Sequence, residues 1–303
     1  MSSAPAISVV ICTRNPRPAV LARALGCTAS QTLSGHQREC LVIDNASDQP
    51  VSAVVEQAGV ECRVVVEPEV GLTAARLRAI RETTGRLLVF VDDDNLLDSD
   101  YLEQALRIAG EYPRIGAFGG RISPEFEVPE PDWLRPFRSH LALIDLDRDF
   151  WTNNPADHAA IPCGAGLCIR REAALAYCEA VAADPRRQAL DRSAAGTLSC
   201  GDTDMVLSCV DAGWGMGRFT ALHLTHVIPA ARLEFAYQKR LATDIGYSYG
   251  RLLAIRGEAS RGRKLIALAK TGLAFAGIKH RGKSRSLDVA FHHGVWKGLR
   301  SLA

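Results

Sequence analysis

Leu87-Leu88-Val89-Phe90-Val91-Asp92-Asp93-Asp94-Asn95 sets five apolar residues directly against three carboxylates. A short, continuous apolar run of this kind suits a strand buried on both faces. Such strands belong to parallel sheets covered by helices, where ligands collect beyond the carboxyl ends of the strands. Three adjacent carboxylates there repel one another and lose solvation, so they call for a cation. Hard oxygen ligands suit Mg²⁺ or Mn²⁺. Alternation along an extended chain points Asp92 and Asp94 to one side and Asp93 to the other. The competing reading is an acidic helix start, since Asp98 and Asp100 follow, although capping does not require three consecutive acids.

Working outward, apolar runs predict strands over 6–12, 39–44, 62–66, 86–91 and 115–119, and amphipathic runs predict helices over 18–31, 51–58, 72–83 and 98–109. Strand and helix alternate, which implies an α/β fold with a mostly parallel, doubly wound sheet. Thr13-Arg14-Asn15 follows the first strand and Asp44-Asn45-Ala46-Ser47-Asp48 the second. With the aspartate triplet, three polar clusters converge on one sheet edge. Gly119-Gly120 closes this half, and 121–160 reads as a long, proline-rich, irregular connection. Residues 161–230 return to α/β, and 232–303 look helical with a break near 257–262.

Charge divides the chain at the same place. Residues 1–230 hold 21 Lys+Arg against 30 Asp+Glu, whereas 231–303 hold 15 against 4. An acidic body of 1–230 therefore precedes a basic helical appendage of 231–303. In the appendage, Arg261, Arg263, Lys264, Lys270, Lys279, Arg281, Lys283 and Arg285 flank the apolar stretch 265–278, with Leu265, Leu268 and Phe275 on one helical face. Two readings stand: a helix lying on an anionic membrane, or a helix packed on the body with a basic outer face. That stretch has 14 residues with Lys270 inside, short of the ~20 needed to span a bilayer. No signal peptide is legible, so the expectation is a cytoplasmic protein, soluble or peripheral on the inner face of the membrane. The nine cysteines are scattered without a paired CxxC frame, which argues against structural zinc and for reduced buried thiols. Neither GxxxxGK[ST] nor a GxGxxG after the first strand is present, so phosphates must be held by something other than a glycine cradle.

The runs SVVICTRN (8–15), LVIDNASD (41–48), VGLTAARLRAI (70–80) and LLVFVDDDN (87–95) together resemble family 2 glycosyltransferases. The resemblance implies a GT-A fold and an inverting transfer from a nucleotide-diphospho-sugar, with UDP-sugar as the default donor. It divides the body into a nucleotide-sugar half, 1–120, and an acceptor half, 121–230. It implies that Thr13, Arg14 and Asp44 hold the nucleobase, and that Gly71, Arg76, Asp92 and Asp93 touch the donor. The metal, Mn²⁺ or Mg²⁺, is implied on Asp94 with Asp92, and His226 in LHLTHVIPAARL (222–233) would complete its shell; His223 is the competitor. For Asp44 a turn-forming role and for Arg76 a solvated helix charge are the alternatives. IPCGAGLCIRR (161–171) resembles the acceptor-side strand, giving Gly164 and Gly166. In Ser199-Cys200-Gly201-Asp202-Thr203-Asp204, Asp202 matches the catalytic base, with Gly201 where Glu is usual. Asp204 is the reserve on the acceptor side, and Trp214 matches an aromatic that follows this helix. Leu77 stands where the family usually has Asn. The expected partners are the donor, a glycan or lipid-linked acceptor and, through the tail, an anionic membrane; no nucleic acid is expected. A nucleotidyltransferase on a related fold, or a non-catalytic sugar-nucleotide or polyanion-binding module, are the rivals.

Overall fold

The computed structural model describes residues 4–192, 198–277 and 279–301. The first half follows the predicted alternation: β1 (Ile7–Thr13), α1 (Pro18–Ala29), β2 (Arg38–Asp44), α2 (Ser52–Ala58), β3 (Arg63–Val66), α3 (Leu72–Glu82) and β4 (Leu87–Val91). β5 (Asn95–Leu97), α4 (Tyr101–Glu111) and β6 (Ile115–Phe126) follow. After an irregular, partly 3-10 segment come β7 (Phe150–Thr152), β8 (Leu167–Arg170), α5 (Arg171–Ala183), α6 (Gly201–Asp211) and β9 (Gly215–Ile228). The tail is α7 (Phe235–Ile255), α8 (Arg261–Ala276) and α9 (Gly282–Gly298).

The strands form one sheet in the order β3-β2-β1-β4-β8-β6-β9-β5, with β7 also on β9. It is a GT-A type α/β sheet. The expected parallel pairing runs from β3 to β4 and returns between β6 and β9. β8 then runs antiparallel to both β4 and β6, and β5 and β7 run antiparallel to β9. Beyond β4 the sheet is therefore mixed. β6 continues past Gly119-Gly120, where a strand end was expected. A side chain at Gly120 would meet the Leu222 carbonyl oxygen at 2.0 Å, so the glycine admits a neighbouring strand and does not stop its own.

β1, β2 and β4 end level with one another: Thr13 lies opposite Asp44, and Ile11 opposite Val91. The three polar clusters consequently share one edge. Apolar residues from both sheet faces make two cores, and α7 enters both, with Leu241 and Ala242 in one and Leu252 and Ile255 in the other. Gly246 and Gly250 of α7 face Gly294 and Gly298 of α9. Added side chains at these four positions would fall 2.1–2.3 Å from backbone oxygens of the other helix, so the two backbones touch. Among the described residues no helix is long and apolar enough to cross a membrane. Of the cysteines, Cys168, Cys200 and Cys209 are buried and the rest partly so, all unbridged.

Candidate active site

A cleft of about 550 Å³ opens at the shared edge. Its floor is the aspartate triplet. The chain turns immediately after β4, with the Asn95 amide bonded to the Asp92 carbonyl, and then enters β5. β5 pairs with β9 so that Asn95 lies opposite His226. That register brings Asp94 and His226 together: Asp94 Oδ2 is 3.4 Å from His226 Nε2 and 3.2 Å from Arg232 Nη1. His226 Nδ1 lies 2.9 Å from the Leu141 carbonyl oxygen, which can only accept. Nδ1 therefore carries a proton, and Nε2 is the ring nitrogen that faces Asp94 and the cleft. Thr13 Oγ1 donates to Asp93.

The three carboxyls differ in how readily they ionise. Burial, reinforced by Asp94, pushes Asp92 upward. Burial and Asp94 also push Asp93 up to about 6, against the Thr13 hydrogen bond. Asp94 is also disfavoured by burial, but the His226 contact and the charges of Arg232 and Arg192 hold it down to about 2. The repulsion expected across the triplet is thus carried by Asp92 and Asp93, while Asp94 remains the fixed anion.

The opposite wall is assembled from distant segments. Arg76, on α3, is buried and donates from Nη1 to Asp191 Oδ2 at 2.6 Å. Burial would lower its pKa, but Asp191, Asp202 and Asp92 raise it instead. Asp202, in the first turn of α6, accepts the Gly164 amide at 2.7 Å on Oδ2 and the Thr203 amide at 2.7 Å on Oδ1. A side chain at Gly164 would lie 2.7 Å from Arg76 Nη2 and 3.2 Å from Asp202 Oδ2. One at Gly201 would meet Asp191 Oδ2 at 2.3 Å. The carboxylate of Asp191 thus occupies the space into which a side chain at 201 would point. Arg76, Asp191, Asp202 and Gly164 all line the cleft, as do Arg192 and Arg232. The arrangement brings into one cleft an anion in contact with a histidine nitrogen and the Arg232 guanidinium, a second guanidinium from Arg192, and the oriented Asp202 carboxylate.

The sequence model of the family described as Glycosyl transferase family 2 matches residues 8–174. The chain belongs to glycosyltransferase family 2. It is 26% identical over 311 aligned residues to a succinoglycan biosynthesis protein, ExoM, of Rhizobium meliloti, covering 98% of this chain and 93% of that one. It is 28% identical over 183 residues to an N-acetylglucosaminyltransferase of Bradyrhizobium diazoefficiens, covering 57% of this chain and 36% of that one. The fold is similar to a crystal structure of S. aureus TarS 1-349, with a TM-score of 0.51 and 12% identity over 95% of this chain and 90% of that one. The matched family segment ends before Asp191, Asp202 and His226, so the glycosyltransferase completes its cleft with residues outside it.

Within this family 2 glycosyltransferase, Thr13, Arg14, Gly71, Arg76, Asp92, Asp93, Asp94, Gly164, Asp202 and His226 all line the cleft. Asp44 does not. Its two oxygens accept the Ser47 and Val51 amides at 3.0 and 3.2 Å, so the side chain shapes the loop. Its neighbour Asn45 does line the cleft and ties three strands of chain: Nδ2 donates to the Glu67 and Glu69 carbonyls, and Oδ1 accepts the Gly71 amide. Asp204 is fully buried against Arg187 on another face of α6. Two residues along a helix turn about 200°, so Asp202 and Asp204 cannot both face the cleft. Trp214 precedes β9, whose carboxyl end carries His226. It therefore sits at the far edge of the sheet, against Gly116 and under Arg170. Gly166, at φ 72°, gives its carbonyl to the Tyr101 hydroxyl in the core. His223 points away from the cleft, to Asp98 and Ser123.

Asn45, Asp191 and Arg192 were not legible as site residues. Asp191 and Arg192 follow a 3-10 turn (Pro185–Leu190) with no periodic pattern around them. The one available signal was negative: Gly201, where the resemblance leads one to expect an acid.

Proposed function

We propose that the enzyme transfers a sugar from a nucleoside-diphosphate donor, with inversion, to a hydroxyl of a glycan or lipid-linked glycan during polysaccharide assembly. The observation that supports this reading is that the Asp94–His226 pair and the Asp202 carboxylate line one cleft. The acceptor oxygen attacks the anomeric carbon and its proton passes to Asp202. The bond from that carbon to the diphosphate oxygen breaks, and the nucleoside diphosphate leaves. A single displacement of this kind inverts the carbon. The Gly164 and Thr203 amides fix the Asp202 carboxylate, which suits a general base that must lie within ~3 Å of the acceptor proton.

The donor side falls to Thr13, Arg14 and Gly71, with Asp44 and Asn45 shaping the loop that frames the base; a UDP-sugar is the first donor to try. Arg192 and Arg232 suit the diphosphate. The donor set also fits a hard divalent ion. Asp94 Oδ2 and His226 Nε2 would hold Mn²⁺ or Mg²⁺, with Asp92 sharing the ion or meeting the ribose. Among the described residues no three His, Cys, Asp or Glu side chains form a complete cage. An ion held there would need phosphate oxygens and water to fill its remaining positions. When bound, the ion would neutralise the leaving diphosphate. Arg232 now contacts the same two atoms, so ion and guanidinium compete for them.

A panel of nucleotide-sugars with Mn²⁺ tests the reading. Nucleoside diphosphate release that rises with acceptor supports glycosyl transfer, pyrophosphate release points to a nucleotidyltransferase, and binding with neither product points to a non-catalytic module. Full turnover in excess chelator would remove the metal. So would an Asp94→Asn protein that keeps a Mn²⁺-dependent rise in melting temperature in the presence of UDP.

A further inference from the structure

α8 is amphipathic the wrong way round. Its buried residues are Ala267 and Ala274, and Ala267 packs with Val295 of α9 and with Leu299 just beyond it. Its large apolar side chains, Leu265, Ile266, Leu268, Leu273 and Phe275, are 50–66% exposed. A helix held only by its core would set the leucines inward and leave small residues outside. The other exposed large hydrophobics, Val66, Val128, Trp151 and Leu175, lie at four separate places, so the α8 face is the one concentrated apolar surface among the described residues. Contiguous exposed patches of this kind mark interaction sites.

Charge identifies the partner. At 100° per residue the exposed apolar arc is bordered by Lys264 on one side and Lys270 on the other, with Arg261 at its N-terminal end. Residues 257–303 carry ten Lys and Arg and, as acids, only Glu258 and Asp288. Long cationic side chains flanking an apolar arc can bury their stems in the interface and reach lipid phosphates. With 16 residues α8 is about 24 Å long, too short to cross a hydrocarbon core of ~30 Å, so it must lie in the plane. A second copy of the chain fits less well. Among the described residues no other apolar patch is there to receive the face, and pairing α8 with itself would set its lysines against one another. Part of the expected apolar stretch, Ile278, lies outside the described residues.

We propose that α8 docks this protein on an anionic lipid bilayer, with Leu265, Ile266, Leu268, Leu273 and Phe275 in the interface and Lys264, Lys270 and Arg261 on the lipid phosphates. Docking there has a consequence for the cleft. Just after α8, the His280 ring packs on Phe137, and Ser284 bonds the Trp133 carbonyl at 2.8 Å. The same segment continues into His140 and Leu141, which line the cleft. A wall of the cleft is thereby held beside the membrane-facing corner, where a lipid-borne acceptor would be met.

Flotation of the full chain with phosphatidylglycerol–phosphatidylcholine vesicles at low salt tests this without using activity. The chain is expected to float with these vesicles, to be released by high salt, and to ignore pure phosphatidylcholine. Because the changed residues are exposed, a Leu265→Ser/Leu268→Ser/Leu273→Ser protein should keep its circular dichroism and melting temperature while its bound fraction drops ~10-fold or more; Lys264→Glu/Lys270→Glu should do likewise. Absence of flotation by the full chain, or equal flotation by the serine variant, overturns the proposal. Sedimentation in lipid-free buffer covers the other occupant: a dimer that the serine variant splits into monomers would assign the face to a second copy and overturn the membrane reading.

Discussion

The two walls of the cleft both concentrate carboxylates, yet they are built in opposite ways. On one, Asp92, Asp93 and Asp94 are consecutive in the chain, and their charge is met from outside by His226, Arg232 and Arg192. On the other, Asp191 and Asp202 come from separate segments and are held together by one buried cation, Arg76. The first wall takes its counter-charges from side chains that also line the cleft, as suits a site that must accept a charged diphosphate. The second is closed, with its cation buried and its glycines leaving no spare room, as suits a group that must be held at one position through the reaction. Contiguity makes the first wall visible in a sequence, whereas Arg76, Gly164 and Asp202 of the second come only through the resemblance and Asp191 not at all.

The largest expected effect breaks the second wall. Asp191→Ala leaves the Arg76 guanidinium buried without its partner, and loss of one member of a buried pair costs about 3–5 kcal/mol. Urea denaturation should show it. Adding Gly201→Glu should recover much of that loss, because position 201 points at the space the Asp191 carboxylate vacates. If the double variant is no better than the single one, the two positions are not interchangeable sources of the same charge.

Next in size is Asp202→Asn, which should lower turnover by ~10²-fold or more with donor affinity nearly unchanged. Asp204→Asn should not touch turnover comparably, since that side chain faces Arg187; its cost should appear as lost stability. A reversal of these two outcomes would move the base by two residues. Gly164→Ala comes third. Its new methyl crowds Arg76 and Asp202, so we expect turnover to fall ~10-fold with the melting temperature little changed. An alanine enzyme at full speed would show that the second wall yields, contrary to the contrast drawn above.

The smallest effect concerns the segment joining the walls to the tail. Burial pushes His140 down to about 4 from an ordinary 6.5, and its ring stacks on Phe291 of α9. The unfolded chain binds the His140 proton below about 6.5, whereas the folded protein resists it until about 4. Stability from this group is therefore complete above 6.5 and is lost as pH falls toward 4, by about 1–3 kcal/mol. His140→Gln should remove that part of the acid dependence in melts between pH 7 and 4. An unchanged pH profile would mean that the ring is solvated.

The parallel half of the fold was legible because its information is local. Runs such as Val9–Ile11 and Leu87–Val91 are apolar throughout, and the polar residues that follow them have nowhere to go but the sheet edge. Thr13 and the aspartate triplet could be named on those terms, and Gly71, Asp202 and His226 through the resemblance. Asp204 and Trp214 show the limit of naming by motif order: one helical step of two residues, or one reversal of strand direction, moves a side chain to the far side of the sheet. β5 escaped notice because its three residues gain strand structure only from pairing with β9, more than a hundred residues later.

The sequence by itself determined which strands are buried, where the acidic loops fall and how charge divides between body and tail, since each follows from neighbours along the chain. Only the tertiary structure decided that Asp94 meets His226, that Asp191 fills the place beside Gly201, and that α8 turns its leucines outward. Each of these depends on which distant segment lies alongside: the register of β5 on β9, the reach of Arg76 from α3 and the packing of Ala267 of α8 against Val295 of α9. Packing between such segments is set by shape and charge in three dimensions, and no periodicity in one chain segment encodes what the other will present.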